Sequence, residues 1–178
     1  SEDNDVYWTD GTDEEAWTDT GDVRTIAMSK DLRYIAFTTT DYDNTITVID
    51  VNSETWRTAT LTIATSGDPV RVDYADVLTF NCLGDTLLFD AFSEGRIGQS
   101  EYGCWGLFGM RIKDLACWAL LPLSPGMQVG NPSMAHTSPY ELVADYIYST
   151  NQQSTIGVVG LDLNQNRLSV LLKGLNTL

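Results

Sequence analysis

One unit recurs three times in this chain, and that recurrence constrains the fold more than any single motif does. Its clearest copy runs through "DVRTIAMSKDLRYIAFTTTDYDNTITVIDVNSETWRTATL". "DVRTIAM" and "RYIAFTTT" are short, β-branched and aromatic, and "SKDL" between them is a turn. "NTITVIDV" alternates polar and apolar residues, the period of a half-buried strand. "VNSET" is a second turn and "WRTATLTI" a fourth strand. The same order returns in "DVLTFNCLGDTLLFDAFSEG" followed by "YGCWGLFGMRIKDLACWALLPL", with turns at Gly84–Asp85 and Lys113–Asp114. It returns again in "NPSMAHTSPYELVADYIYSTNQQSTIGVVGLDLNQNRLSVLL". Phe37, Phe89 and Ala144 occupy matching places, 52 and 55 residues apart, and "VIDVNSETWRTATL" matches "GLDLNQNRLSVLL".

A four-stranded unit repeated at about 40–55 residues is the signature of a β-propeller blade. Each blade is pressed between neighbours, so both faces of its sheet need apolar cover. That accounts for runs such as "DTLLF" and "GVVGL", which lack strict alternation. The expected fold is therefore all-β, built of four-stranded antiparallel blades over residues 22–66, 67–127 and 128–178. Residues 1–21 read as the last two strands of a preceding or closing blade, "VYWTD" and "EAWTD" about a turn at Gly11. A β-sandwich of about fourteen strands is the structural alternative. Three and a half blades make an incomplete ring with two open apolar faces. The expectation is a fragment, or a chain whose outer blades are covered by other polypeptide, either the rest of the parent protein or another protein chain.

The first unit resembles the repeat of TolB-like propellers. Ser29, Asp31, Arg33, Tyr34, Ile35, Ala36 and Phe37 match its turn and second strand, while Lys30 and Leu32 replace the usual Pro and Gly of the turn. In the third unit Gly130, Asn131, Pro132, Ser133, Ser138, Pro139, Tyr140, Asp145 and Tyr146 match a variant found in secreted bacterial proteins of this class. The resemblance implies an exported bacterial protein, periplasmic or extracellular. It implies a non-catalytic module for protein or ligand binding, within a larger protein or assembly. The alternative is the gating or substrate-binding propeller of a hydrolase or polysaccharide-processing enzyme.

Charge narrows the partners. The net charge of −15 repels phosphate backbones and anionic lipid headgroups, so neither nucleic acid nor membrane insertion is expected. No apolar run approaches the length of a membrane span. Candidate chemistry is sparse, and neither a catalytic residue nor a cofactor is expected. Asp41, Asp43 and Asn44 in "DYDN" place three oxygen-bearing side chains in one loop, which suits Ca²⁺ or a plain solvated turn. "DGTDEE", Asp10 to Glu15, invites the same two readings. His136 is the single histidine, which removes histidine-rich metal constellations, and no G-x-S-x-G accompanies it. Asp90 and Asp145 fall at near-equivalent places after their second strands; with Tyr146 they are the candidate ligand-binding residues. They can equally accept backbone hydrogen bonds or line a polar channel. Trp17, Trp56 and Trp118 recur near blade-end strands, which predicts packing between blades. Of Cys82, Cys104 and Cys117, the pair Cys82–Cys117 has plausible disulfide reach; three free thiols is the other reading.

Overall fold

The turn chemistry of the repeat sets the sheet boundaries, and each of the three main sheets consists of four consecutive strands. The computed structural model describes residues 4–39, 43–63, 70–93, 104–121, 127–149 and 154–175. Blade 1 comprises β3 (Val23–Met28), β4 (Tyr34–Thr39), β5 (Thr45–Asp50) and β6 (Thr55–Thr60). Blade 2 comprises β9 (Tyr74–Phe80), β10 (Thr86–Ser93), β11 (Cys104–Arg111) and β12 (Ala116–Ala119). Blade 3 comprises β13 (Met127–Met134), β14 (Glu141–Ser149), β15 (Ser154–Asp162) and β16 (Arg167–Leu175). Ahead of them β1 (Tyr7–Thr9) pairs with β2 (Glu14–Ala16) as a separate hairpin. One ribbon was not foreseen: β7 (Thr62–Ile63) pairs with β8 (Val70–Arg71) across the connection between blades 1 and 2. All pairings between these strands are antiparallel, and no helix occurs among the described residues.

The first turns of blades 1 and 2 are built alike despite different residues. Ser29 N–H donates to Tyr34 O at 2.8 Å, and Asn81 N–H donates to Thr86 O at 2.9 Å. Leu32 N–H closes its turn on Ser29 O, as Gly84 N–H does on Asn81 O. Gly84 has φ +71°, and Leu32 adopts the same left-handed region at φ +61°. The turn type is thus retained without its glycine, at a steric cost to Leu32. Leu32→Gly is expected to raise stability by about 1 kcal/mol, since a β-carbon there costs about 1–2 kcal/mol and glycine's unfolded-state entropy cancels part of the gain. Leu32 is 65% exposed, so no packing is lost. A urea midpoint that stays level or drops in the variant refutes this.

The alternation of β-strands sends successive residues to opposite faces, and three buried clusters fill the resulting gaps. The first joins Ala36, Ile46, Val48 and Ala59 of blade 1 to Leu87, Phe89, Phe108 and Met110 of blade 2. The second joins Leu88 and Leu107 of blade 2 to Leu142, Ala144, Val159 and Leu161 of blade 3. The third sets Val6 and half-buried Trp17 of the N-terminal segment against Ile35, Phe37 and Ile49, on the other face of blade 1. Arg57 of β6 also reaches across to blade 2, donating to Ile112 O at 2.8 Å and Lys113 O at 3.1 Å.

The tryptophans follow these faces less regularly than their spacing suggests. Trp56 pairs with Ile49, and its ring lies edge-on to Phe37 at 6.1 Å, on the face toward the N-terminal segment. Trp118 pairs with Gly109 and covers it on the opposite face; a β-carbon on Gly109 would lie 2.5 Å from the Trp118 ring. Counted from the turn residues Glu54 and Leu115, both at positive φ, the two tryptophans differ by one position. That single step reverses the face. Both are exposed, and they do not share one role: Trp56 lines the gap to the N-terminal segment with Trp17, whereas Trp118 lies over Gly109 of its own blade.

Candidate functional site

The first strands of the three blades, β3, β9 and β13, neighbour one another and form the inner side of the arc. Irregularities in these strands build the most polar assembly there. The register between β9 and β10 shifts between Phe89 and Ala91, and that between β13 and β14 shifts between Gly130 and Ser133. Such bulges leave backbone N–H groups without a ladder partner. Asp90 supplies the acceptors. Its Oδ1 accepts from Val77 N–H at 2.7 Å, and its Oδ2 accepts from Asn131 N–H at 2.7 Å. One carboxylate therefore caps a bulge in its own blade and a bulge in the next. Asp90 is 4% exposed, and burial raises its pKa above the usual carboxylate range, against the pull of those two N–H donors.

Asn131 carries the connection onward. Its backbone sits at φ +51°, a region asparagine tolerates better than most residues. Its side-chain amide donates to Asp145 Oδ2 at 2.9 Å. Gly130 permits the approach, since a β-carbon there would lie 2.8 Å from Asp90 Oδ2. On the other side Asp76 pairs with Arg24 of β3 at 3.1 Å, and the Arg24 guanidinium stands 5.7 Å from the centre of the Tyr74 ring. A cavity of about 270 Å³ opens beside this assembly, lined by Asp76, Asp90, Trp105, Gln128, Asn131 and Asp145 with apolar Ile147 and Ile156. Trp105 is held by edge contact with Tyr74, ring centres 5.5 Å apart.

The structure thus brings two of the three sequence candidates together, Asp90 and Asp145, through a residue between them. Tyr146 belongs to the other face of blade 3, where it stacks on Tyr148 with ring centres 6.4 Å apart and packs against the second cluster. Asp76, Gln128 and Arg24 had no motif to announce them. Asn131 did have a signal: Gly, Asn and Pro in succession within a strand argue for a bulge.

The remaining candidates lie apart from this assembly. Asp43 accepts from Thr45 Oγ at 3.0 Å in its exposed hairpin, with Asn44 beside it, and Asp41 lies outside the described residues. In "DGTDEE" Asp10 Oδ1 accepts from Thr12 and Asp13 N–H, an Asx-type turn that holds its carboxyl below the usual range. His136 is exposed in its turn, and its carbonyl accepts from Lys30 Nζ of blade 1 at 3.1 Å. All three cysteines are free thiols, so the Cys82–Cys117 bond weighed from the sequence is not formed. Cys117 instead points its Sγ at Leu115 O within its own strand end, and burial pushes its thiol up to about 11.

Comparison with known proteins decides the fold. A putative TolB from Agrobacterium tumefaciens superposes with a TM-score of 0.60 at 12% identity, over 90% of this chain and 52% of that one. The fold is that of a TolB-like β-propeller. Propeller-bearing peptidases share it: dipeptidyl peptidase 4 of Porphyromonas gingivalis gives a TM-score of 0.63 at 13% identity, over 92% of this chain and 27% of that one. Acylaminoacyl peptidase of Pyrococcus horikoshii gives 0.56 at 9% identity, over 85% and 24%. This chain thus spans about half the length of that TolB structure and about a quarter of each peptidase. No family model and no curated protein matches the sequence.

Proposed function

We propose that this chain is the non-catalytic part of a β-propeller that binds a protein or ligand at the inner side of its arc, within a larger exported protein or assembly. One observation carries the reading. Side chains from two consecutive blades, Asp76, Gln128 and Asn131, converge beside the Trp105 ring on one open cavity, while the most buried carboxylate, Asp90, is already committed to two backbone N–H groups. An acceptor-rich pocket with an aromatic wall suits a hydrogen-bond donor carrying positive charge, such as a lysine or arginine side chain of a basic peptide. The net charge of −15 favours the encounter.

Titration with two peptides of equal length, one lysine-rich and one aspartate-rich, tests this by calorimetry at low salt. The expected result is saturable binding of the basic peptide alone, weakened about tenfold, or 1.4 kcal/mol, by Gln128→Ala combined with Trp105→Ala. Equal affinity for both peptides, or no loss in the variant, overturns it. The second reading is the propeller portion of a hydrolase, favoured by the likeness to the two peptidase structures. Under that reading the pocket would pass substrate rather than retain it, and neither peptide would give saturable binding.

A further inference from the structure

A second cavity opens on the outside of the arc, between the N-terminal segment and β6, the outermost strand of blade 1. Its volume is about 300 Å³. Glu15 and Trp17 line it from the N-terminal segment, Glu54 and Trp56 from the start of β6, and buried Ile49 adds an apolar surface. Both rings are held in place without a ligand. Trp17 N–H donates to Val6 O at 2.7 Å, and its side chain packs against the third cluster. Trp56 is fixed by its pairing with Ile49 and by edge contact with Phe37. The two glutamates are the opposite case: among the described residues neither carboxylate has an ion-pair partner. The repeat sets Glu54 apart. The last turn of each blade places a residue at positive φ ahead of the fourth strand: Glu54 at +52°, Leu115 at +57° and Asn166 at +49°. Leu115 packs against the first cluster, and asparagine tolerates this region. Glu54 is exposed and bears the strain with no packing in return. Two positions further on, blade 2 has Cys117 packed against the first cluster, whereas blade 1 has Trp56, 45% exposed. Charge adds to this. Residues 1–22 hold nine Asp and Glu and no Lys or Arg, so the N-terminal wall carries a strongly negative potential.

We propose that this cavity binds a small quaternary ammonium cation of the choline type. The chemistry follows from the lining. Indole attracts a cation over its face more strongly than the other aromatic side chains do. An N-alkylated ion carries its charge with no N–H, so it needs no acceptor in a fixed direction. Two carboxylates beside two indoles supply it with charge and apolar contact together. A primary ammonium is a compact, strongly hydrated charge with three donors, poorly matched to indole and isoleucine walls. Ca²⁺ takes roughly six to eight oxygen ligands, far more than two glutamates offer. Zwitterions with a carboxylate or phosphate beside the ammonium are repelled by the same glutamates, which restricts the ligand to net cations. The cavity shares no lining residue with the inner-side pocket, so this site stands independently of the basic-peptide reading.

Calorimetric titration of the whole chain with choline, betaine and dimethylbutanol separates charge from shape. Betaine adds a carboxylate to the trimethylammonium head, and dimethylbutanol replaces the nitrogen of choline by carbon and is uncharged. The expected result is saturable binding of choline with half-saturation in the low millimolar range, and binding of the other two at least about tenfold weaker. Trp56→Leu is expected to weaken choline binding about tenfold and Glu54→Gln about threefold. Both side chains are exposed, so both variants should keep the near-ultraviolet circular dichroism of the parent, and the loss is then one of binding and not of folding. The titrants contain no peptide, so failure here and failure of the basic-peptide reading are separable. Three outcomes overturn the proposal: no saturation by choline below about 50 mM, equal affinity for dimethylbutanol, or choline binding unchanged in either variant.

Discussion

Asp90→Ala is expected to lower stability by about 2–6 kcal/mol, the cost of leaving two buried N–H groups without an acceptor at roughly 1–3 kcal/mol each. Val77 N–H and Asn131 N–H both lie in bulges and have no ladder partner to return to. The loss falls on the junction of blades 2 and 3, so urea melts of the variant should show a separate early transition for blade 3. Asp90→Asn keeps one acceptor and is expected to lose less, about 1–2 kcal/mol. The two variants also separate in pH. Burial raises the folded-state pKa of Asp90, so the folded chain holds this proton more firmly than the unfolded one. Its contribution is full below the ordinary aspartate range and declines as pH rises through the raised value. Asp90→Asn should flatten that decline. Asp90→Ala within about 1 kcal/mol of the parent would contradict the assignment of Asp90 as the tie between the blades, and an unchanged pH profile in Asp90→Asn would contradict its raised pKa.

What could be read in the chain beforehand was whatever depends on local chemistry repeated three times. The strand–turn order, the matching of Phe37, Phe89 and Ala144, and the shared turns after Asp50 and Asp162 needed no long-range information. In both of those turns the aspartate accepts from the asparagine N–H two residues later. What could not be read depends on register. A one-residue offset moves Trp118 to the face opposite Trp56, and spacing alone cannot detect it without a fixed turn to count from. The union of Asp90 and Asp145 through Asn131 needs a bulge in one blade to meet a carboxylate of another, a contact spanning 41 residues in the case of Asn131 and Asp90. The β7–β8 ribbon is two residues per strand in a polar connection, below the length at which alternation carries a signal.

The repeat also explains why the same position holds phenylalanine in blade 2 and alanine in blade 3, and from this the second large effect follows. Phe89 faces the gap toward blade 1, where the counterpart of Leu88 is the small Ala36. Ala144 faces the gap toward blade 2, where that position is the large Leu88 itself. Each gap thus combines one large and one small side chain at this level, in opposite order. Phe89 is fully buried and stacked on Phe108 with ring centres 5.7 Å apart, so Phe89→Ala is expected to cost about 3–5 kcal/mol through lost burial and an unfilled cavity. Domains of this size hold about 5–15 kcal/mol in total, which leaves the variant close to unfolding at 37 °C. Ala144→Phe fails for the converse reason, overfilling a gap that Leu88 occupies, at about 1–3 kcal/mol or more. Volume exchange should restore both. Phe89→Ala with Ala36→Leu, and Ala144→Phe with Leu88→Ala, are each expected to recover at least 1 kcal/mol over the sum of their single variants, a coupling typical of residues in contact. Strictly additive losses in either double-mutant cycle would mean that the paired positions do not share a gap, and the face assignment of the whole repeat would have to be redrawn.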